Sequence, residues 1–266
     1  MRGFSMYRGV VSFILRNPHI IINCPSGSNG FEVDSGGVKV RVKCEGGTAV
    51  YELEAVGESQ EAIKEKAKSF AYAMSLIHGV GLEMDNFTTA WLSIVPQPMS
   101  DGKATVSMEA IASIKYQLVA TEYIDEKLIR RTMELMNKLK NALRNPDTNK
   151  KVEELLRVVK WWVSGSLDED PLDKFLKFFI AFELLVSLMS YKRGTGGSWA
   201  EFCKKYGLTC EFEGTSVNRI RNLIMHEPGE ERDQAEEAAR KHADEFGQEV
   251  LKAIRRIMGE ELGIGV

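Results

Sequence analysis

Three side chains suited to moving a proton beside an anion fall within six residues, Arg221, Asn222 and His226 of the run Arg221-Asn222-Leu223-Ile224-Met225-His226. Three apolar residues separate Asn222 from His226, and the helix-stopping run Glu227-Pro228-Gly229 follows at once, which places the imidazole on the last turn of a helix. A histidine gives and takes protons near neutral pH because its ordinary pKa is about 6.5. Positions 222 and 226 lie one above the other on a helix, which places the Asn222 amide to hold the His226 ring. Arg221 points roughly 140° away from His226, at about 100° per residue. Only its length and the ease of unwinding a helix end bring it to the other two. A lone histidine is more often structural than catalytic; its setting beside Arg221 and Asn222 gives this one a functional reading.

Glu183 is the second group of interest. It sits in the apolar run Asp173 to Leu185, on a helical stripe with Leu172, Phe175, Leu176, Phe179 and Val186. The pattern predicts a buried carboxylate, and a buried unpaired carboxylate costs several kcal/mol or takes up a proton, so a cationic partner is expected.

Other candidates carry less. The segment Arg193-Gly194-Thr195-Gly196-Gly197-Ser198 lacks the Gly-Lys-Ser/Thr of a phosphate loop and reads as a flexible connection. Cys24, Cys44, Cys203 and Cys210 have no Cys-x-x-Cys spacing, so no zinc site is expected. They read as thiols in a reducing cytoplasm, with a Cys203–Cys210 bridge as the alternative. His19, His78 and His242 show no recognisable partners.

The elements that position these groups follow from periodicity. Residues 10–22 read as a short helix or a strand, followed in either case by a strand beyond Pro18. Val38, Val40 and Val42 alternate with charged residues, as do Ala49, Tyr51, Leu53 and Ala55 with polar ones, which predicts an antiparallel hairpin. Ser59 caps a helix carrying Ile63, Ala67, Phe70, Met74 and Ile77. Residues 91–95 and 106–118 read as strands. Beyond residue 120 the spacing becomes helical throughout: a helix to Asn145-Pro146-Asp147, another to about Gly165, and a third opened by Pro171. A long last helix, about 231–258, has a seam of Ala235, Ala239, His242, Phe246, Val250, Ala253 and Ile257. The expected fold is α+β, with residues 1–120 an antiparallel sheet with a packed helix and residues 121–266 a helical bundle.

A chain of 266 residues with 35 Lys plus Arg against 38 Asp plus Glu has no global field that draws it to nucleic acid or to a membrane. Any RNA contact must come from a local patch. The start, Met1 to Ile22, contains Arg8 and Arg16 and lacks a small-residue cleavage pattern, and Phe175 to Met189 is too short to span a bilayer. A cytoplasmic protein without membrane contact is expected.

Arg-Asn-x-x-x-His, together with the acid-bearing apolar helix around Glu183 and the order acid helix, short helix, motif helix, long amphipathic helix, resembles the HEPN domains, over roughly residues 150–258. The resemblance implies a helical bundle and a metal-independent endoribonuclease with no cofactor. In such an enzyme the 2′-hydroxyl of single-stranded RNA attacks the adjacent phosphorus, leaving a 2′,3′-cyclic phosphate and a 5′-hydroxyl. Arg221, Asn222 and His226 are its catalytic residues, and Glu183 supports the site by pairing with Arg221. Apart from the resemblance, Lys192, Arg193, Lys204, Lys205 and Arg219 stand near the motif in sequence and are the candidates for a local RNA-facing patch, with scattered surface charge the plainer account of any one of them. The resemblance also implies a homodimer with facing motifs, a toxin or defence setting, and an antitoxin or regulatory partner. The alternative is a non-catalytic HEPN module that binds RNA, a nucleotide or a partner protein.

Overall fold

The computed structural model describes residues 6–17, 20–23, 30–35, 37–45, 48–94, 120–123, 125–190 and 196–265. The chain divides into two units, Met1–Ile77 with Leu82–Asn137, and His78–Gly81 with Lys138–Val266. The fold is α+β.

Alternating apolar and polar residues build the sheet of the first unit. β4 (Val38–Glu45) and β5 (Thr48–Gly57) form the expected hairpin, in register from Val38 opposite Ala55 to Glu45 opposite Thr48. Val40, Val42, Tyr51 and Leu53 are buried, while Arg41, Lys43, Glu52 and Glu54 form cross-strand ion pairs on the other face. The segment left open between strand and helix is strand: β1 (Met6–Arg16) lies antiparallel between β5 and β6 (Glu83–Ile94). β3 (Phe31–Ser35) pairs with β4, giving the order β3-β4-β5-β1-β6. Off this path β2 (Ile20–Asn23) pairs with β5 and, in parallel, with β7 (Ala120–Tyr123). The strand expected at 91–95 is the end of the longer β6, and that at 106–118 lies outside the described residues.

Helix α1 (Gln60–His78) begins where Ala62 N–H donates to Ser59 Oγ at 3.1 Å, and it buries Ile63, Ala67, Phe70 and Met74. Phe70 meets Phe13 and Tyr51 at ring separations of 6.1 and 6.0 Å, an aromatic centre for the unit. Burial there pushes the Tyr51 phenol pKa up. Helix α2 (Glu126–Arg144) straddles the two units, so the division falls inside it and not near residue 120. Its Ile129, Thr132 and Met133 are buried, and Thr132 Oγ1 lies 3.5 Å from Met74 Sδ of α1, which ties its first half to the sheet's core.

The second unit holds α3 (Asn149–Ser166), α4 (Pro171–Leu188), α5 (Gly196–Tyr206), the small hairpin β8 (Glu211–Phe212) to β9 (Thr215–Ser216), α6 (Val217–His226) and α7 (Glu230–Leu262). The periodicity gave no sign of the hairpin, which is too short to have one. The seam of α7 is intramolecular: Ala235, Ala239, Phe246, Val250, Ala253 and Ile257 are buried where α7 packs on α3, α4 and α6. Trp162 is 1% exposed and donates Nε1–H to Gly247 O at 2.8 Å, whereas Trp161 is 38% exposed. Among the described residues no helix is long and apolar enough to cross a membrane.

The free-thiol reading is corrected here. Cys203 and Cys210 form a disulfide with a Cα separation of 6.1 Å, and Cys44 is also disulfide-bonded. Cys203 is on α5 and Cys210 just before β8, and a connection this short brings the two within bridging distance without any spacing motif to announce it.

Asp170 caps α4, accepting from Leu172 N–H at 2.7 Å and Asp173 N–H at 3.2 Å, and both its oxygens lie 3.1 Å from Arg240 Nη1. Hydrogen bonding from Arg240, then from those amides, holds its carboxyl below the usual range. A depressed folded pKa contributes stability above the unfolded value, about 3.9, and loses it as pH falls through the lower folded value. Asp170→Asn keeps a capping acceptor and removes the charge. Its melting temperature should therefore fall below the parent's at pH 7, and the gap should close below about pH 4; a gap unchanged at pH 3 would rule out this ionisation as its source.

Candidate functional site at the end of helix α6

Helix α6 is short and firmly placed. Ser216 caps it by accepting Arg219 N–H at 3.2 Å, and Val217 N–H donates to Cys210 O at 3.0 Å, so its first turn is fixed next to the disulfide. Val217, Ile220, Leu223 and Ile224 form the buried face, and the helix packs on α7 and α4. Glu227 leaves the helix in extended conformation, and Gly229 turns the chain into α7 at φ +88°, ψ −158°, a region essentially reserved for glycine. Arg221 and Asn222 are thereby half-buried, and His226 is exposed at the tip.

The three motif side chains meet. Arg221 Nη1 donates to Asn222 Oδ1 at 3.1 Å and stands 3.4 Å from His226 Nε2. A guanidinium has donors and no acceptor, so Nε2 faces it with a lone pair, which assigns the ring's proton to Nδ1. The expected Asn222–His226 contact is replaced by this one: the arginine is long enough to reach around the helix end and to serve both neighbours.

Glu183 departs from expectation on two counts. It is half-buried, because it lies at the edge of the α4 stripe whose centre is Phe175, Phe178, Phe182 and Val186. Among the described residues it makes no ion pair, and Arg221 instead sets its guanidinium over the Phe179 ring, 5.7 Å from the centroid. Phe179 is one turn before Glu183 on the same helix, so Arg221 reaches the predicted element through an aromatic face. Phe179 is the residue that pattern reading missed; as one of many apolar residues on α4 it carried no distinguishing signal.

Arg219 is exposed and pairs with Glu231 at 3.0 Å, and Lys192 and Arg193 lie outside the described residues. Behind Arg219 opens a cleft of about 410 Å³, between α6, α7 and the β8–β9 hairpin. Among the described residues no three His, Cys, Asp or Glu side chains are grouped as metal ligands.

What the tip of α6 offers is an exposed imidazole with a free-electron pair at Nε2, held by a guanidinium that can turn to an anion. No family model, no curated protein and no solved structure matches this chain.

Proposed function

We propose that this protein is a metal-independent endoribonuclease of the HEPN type, acting on single-stranded RNA. The observation that carries the reading is the meeting of Arg221, Asn222 and His226 around one guanidinium nitrogen at an exposed helix end. A phosphate entering there draws the Arg221 fork onto its non-bridging oxygens, as charge-assisted bonds to phosphate exceed one to a neutral imidazole. That frees His226 Nε2. The imidazole takes the 2′-hydroxyl proton as the 2′-oxygen forms its bond to phosphorus, and the bond from phosphorus to the 5′-oxygen breaks. The leaving oxygen needs a proton, and one histidine cannot act as base and acid in the same step, so a homodimer presenting a second, protonated imidazole completes the site. The first unit serves as a sensor, specificity or dimerisation module. Cytoplasmic RNA is the proposed substrate.

That Glu183 makes no ion pair among the described residues favours a second reading, a module that binds RNA without cutting it. The two separate in excess EDTA on a single-stranded RNA, with the parent beside His226→Ala. Cleavage by the parent that the substitution abolishes supports the enzyme. Equal cleavage by both proteins would reveal a contaminant and remove the assignment. Binding without cleavage, weakened more by Arg221→Ala than by His226→Ala, identifies the binding module.

A further inference from the structure

The cleft behind α6 is unused by the chemistry above, yet it shares a helix face with it. Arg219, Leu223 and His226 are spaced four and three residues apart, so they lie along one face of α6. Arg219 is about 10 Å from His226 along the axis, at 1.5 Å per residue. Arg219 and Leu223 line the cleft, so it opens along the same face of α6 that ends at the imidazole.

The lining selects what enters. The floor is apolar, formed by Ile220 and Leu223 of α6 and by Ala235 and Ala238 of α7, whose small side chains leave the space open. The volume of about 410 Å³ falls in the range of small-molecule pockets, about 300–1,000 Å³. At the rim, Arg219 Nη2 and Glu231 Oε2 are 3.0 Å apart, so a guanidinium and a carboxylate stand side by side. A second carboxylate, Glu213, lines the hairpin side and is held in place by Lys241. Its pKa is lowered, first by the Lys241 hydrogen bond and then by His242, which keeps it an acceptor at neutral pH.

We propose that this cleft is a guanine-binding pocket that seats one base of the RNA beside the scissile phosphate, an inference that rests on the ribonuclease reading. Guanine alone offers two adjacent donors, N1–H and N2–H, that a single carboxylate accepts together, with O6 and N7 next to them as acceptors for an arginine. Adenine and cytosine present one amino group each, and uracil flanks its single N–H with carbonyls that a carboxylate repels. A rim with one guanidinium and two carboxylates over an apolar floor complements guanine best.

The test titrates the full chain with guanosine 3′-monophosphate and with the other three 3′-monophosphates, followed by calorimetry, for the parent and for Glu231→Gln and Arg219→Ala, both at exposed positions that do not threaten folding. Guanosine 3′-monophosphate should bind about ten- to a hundred-fold tighter than the others, the discrimination a bidentate pair provides, and each substitution should narrow that gap. Equal affinity for all four nucleotides, or a guanine preference that survives both substitutions, overturns the pocket. The outcome is separable from that of the parent reading. A preference for guanine in a protein that cuts no RNA keeps the pocket and removes the nuclease, and His226-dependent cleavage with no base preference does the reverse.

Discussion

In the ribonuclease proposed above, alanine at position 226 should lower the rate of single-stranded RNA cleavage by about 100- to 10,000-fold, the range that positioned proton transfer contributes. The expectation follows from where the ring sits. His226 is exposed at the end of α6 and its Nε2 is 3.4 Å from Arg221, so its removal deletes a proton acceptor without opening the core. Stability should therefore be nearly unchanged. Arg221→Lys separates the roles: lysine keeps a charge that can face Asn222 and His226 as Nη1 does, but lacks the planar fork that lies over Phe179 and can grip two phosphate oxygens at once. Its loss should be in kcat and about 100- to 1,000-fold, as for removal of one preorganised donor to a developing oxyanion. Single-turnover cleavage of an end-labelled RNA measures both, with the 2′,3′-cyclic phosphate identified on the product. An Arg221→Lys enzyme at parental kcat would mean that simple charge suffices and that the fork geometry is irrelevant.

The parts of this fold that pattern reading reached are those with one buried face. The β4–β5 hairpin, α1 and the α7 seam each alternate cleanly between apolar and polar positions, and each forms as expected. β1 did not resolve itself, since it lies between two strands and carries apolar residues on both faces: Val11, Phe13 and Leu15 are buried, with Val10 and Ile14 half-buried between them. At the site, the local part of the motif was legible because Arg221, Asn222 and His226 are neighbours on one helix. What Arg221 touches on α4 was not. Choosing between Glu183 and Phe179, one turn apart on α4, depends on the rotation of α4 about its own axis, which the aromatic core sets and no local pattern records. The cleft escaped for the same reason: it exists only once the β8–β9 hairpin lies against α7.

The helical unit that carries α6 depends on one ring held between two glycines, and this gives a stability effect with a distinctive sign. Phe178 of α4 is 3% exposed and fills the space between α3 and α7. A Cβ at Gly165 would lie 2.8 Å from its Cδ1, and one at Gly247 would lie 2.4 Å from its Cε2, so the ring can retreat from neither helix. The α7 backbone cannot retreat either, since Gly247 O accepts the buried Trp162 Nε1–H. Phe178→Ala should destabilise the unit by about 3–5 kcal/mol through lost burial and the cavity left behind. Gly247→Ala in the parent should destabilise by about 1–3 kcal/mol from overpacking, despite the gain of up to about 1 kcal/mol that alanine brings to a helix interior. In the Phe178→Ala background the obstruction is gone and the helix gain remains, so Gly247→Ala should become stabilising. Denaturant unfolding of the four proteins, read at the transition of the helical unit, closes the cycle. If Gly247→Ala has the same sign in both backgrounds, the ring is not what excludes a side chain there, and the close approach of α7 to α4 has another cause.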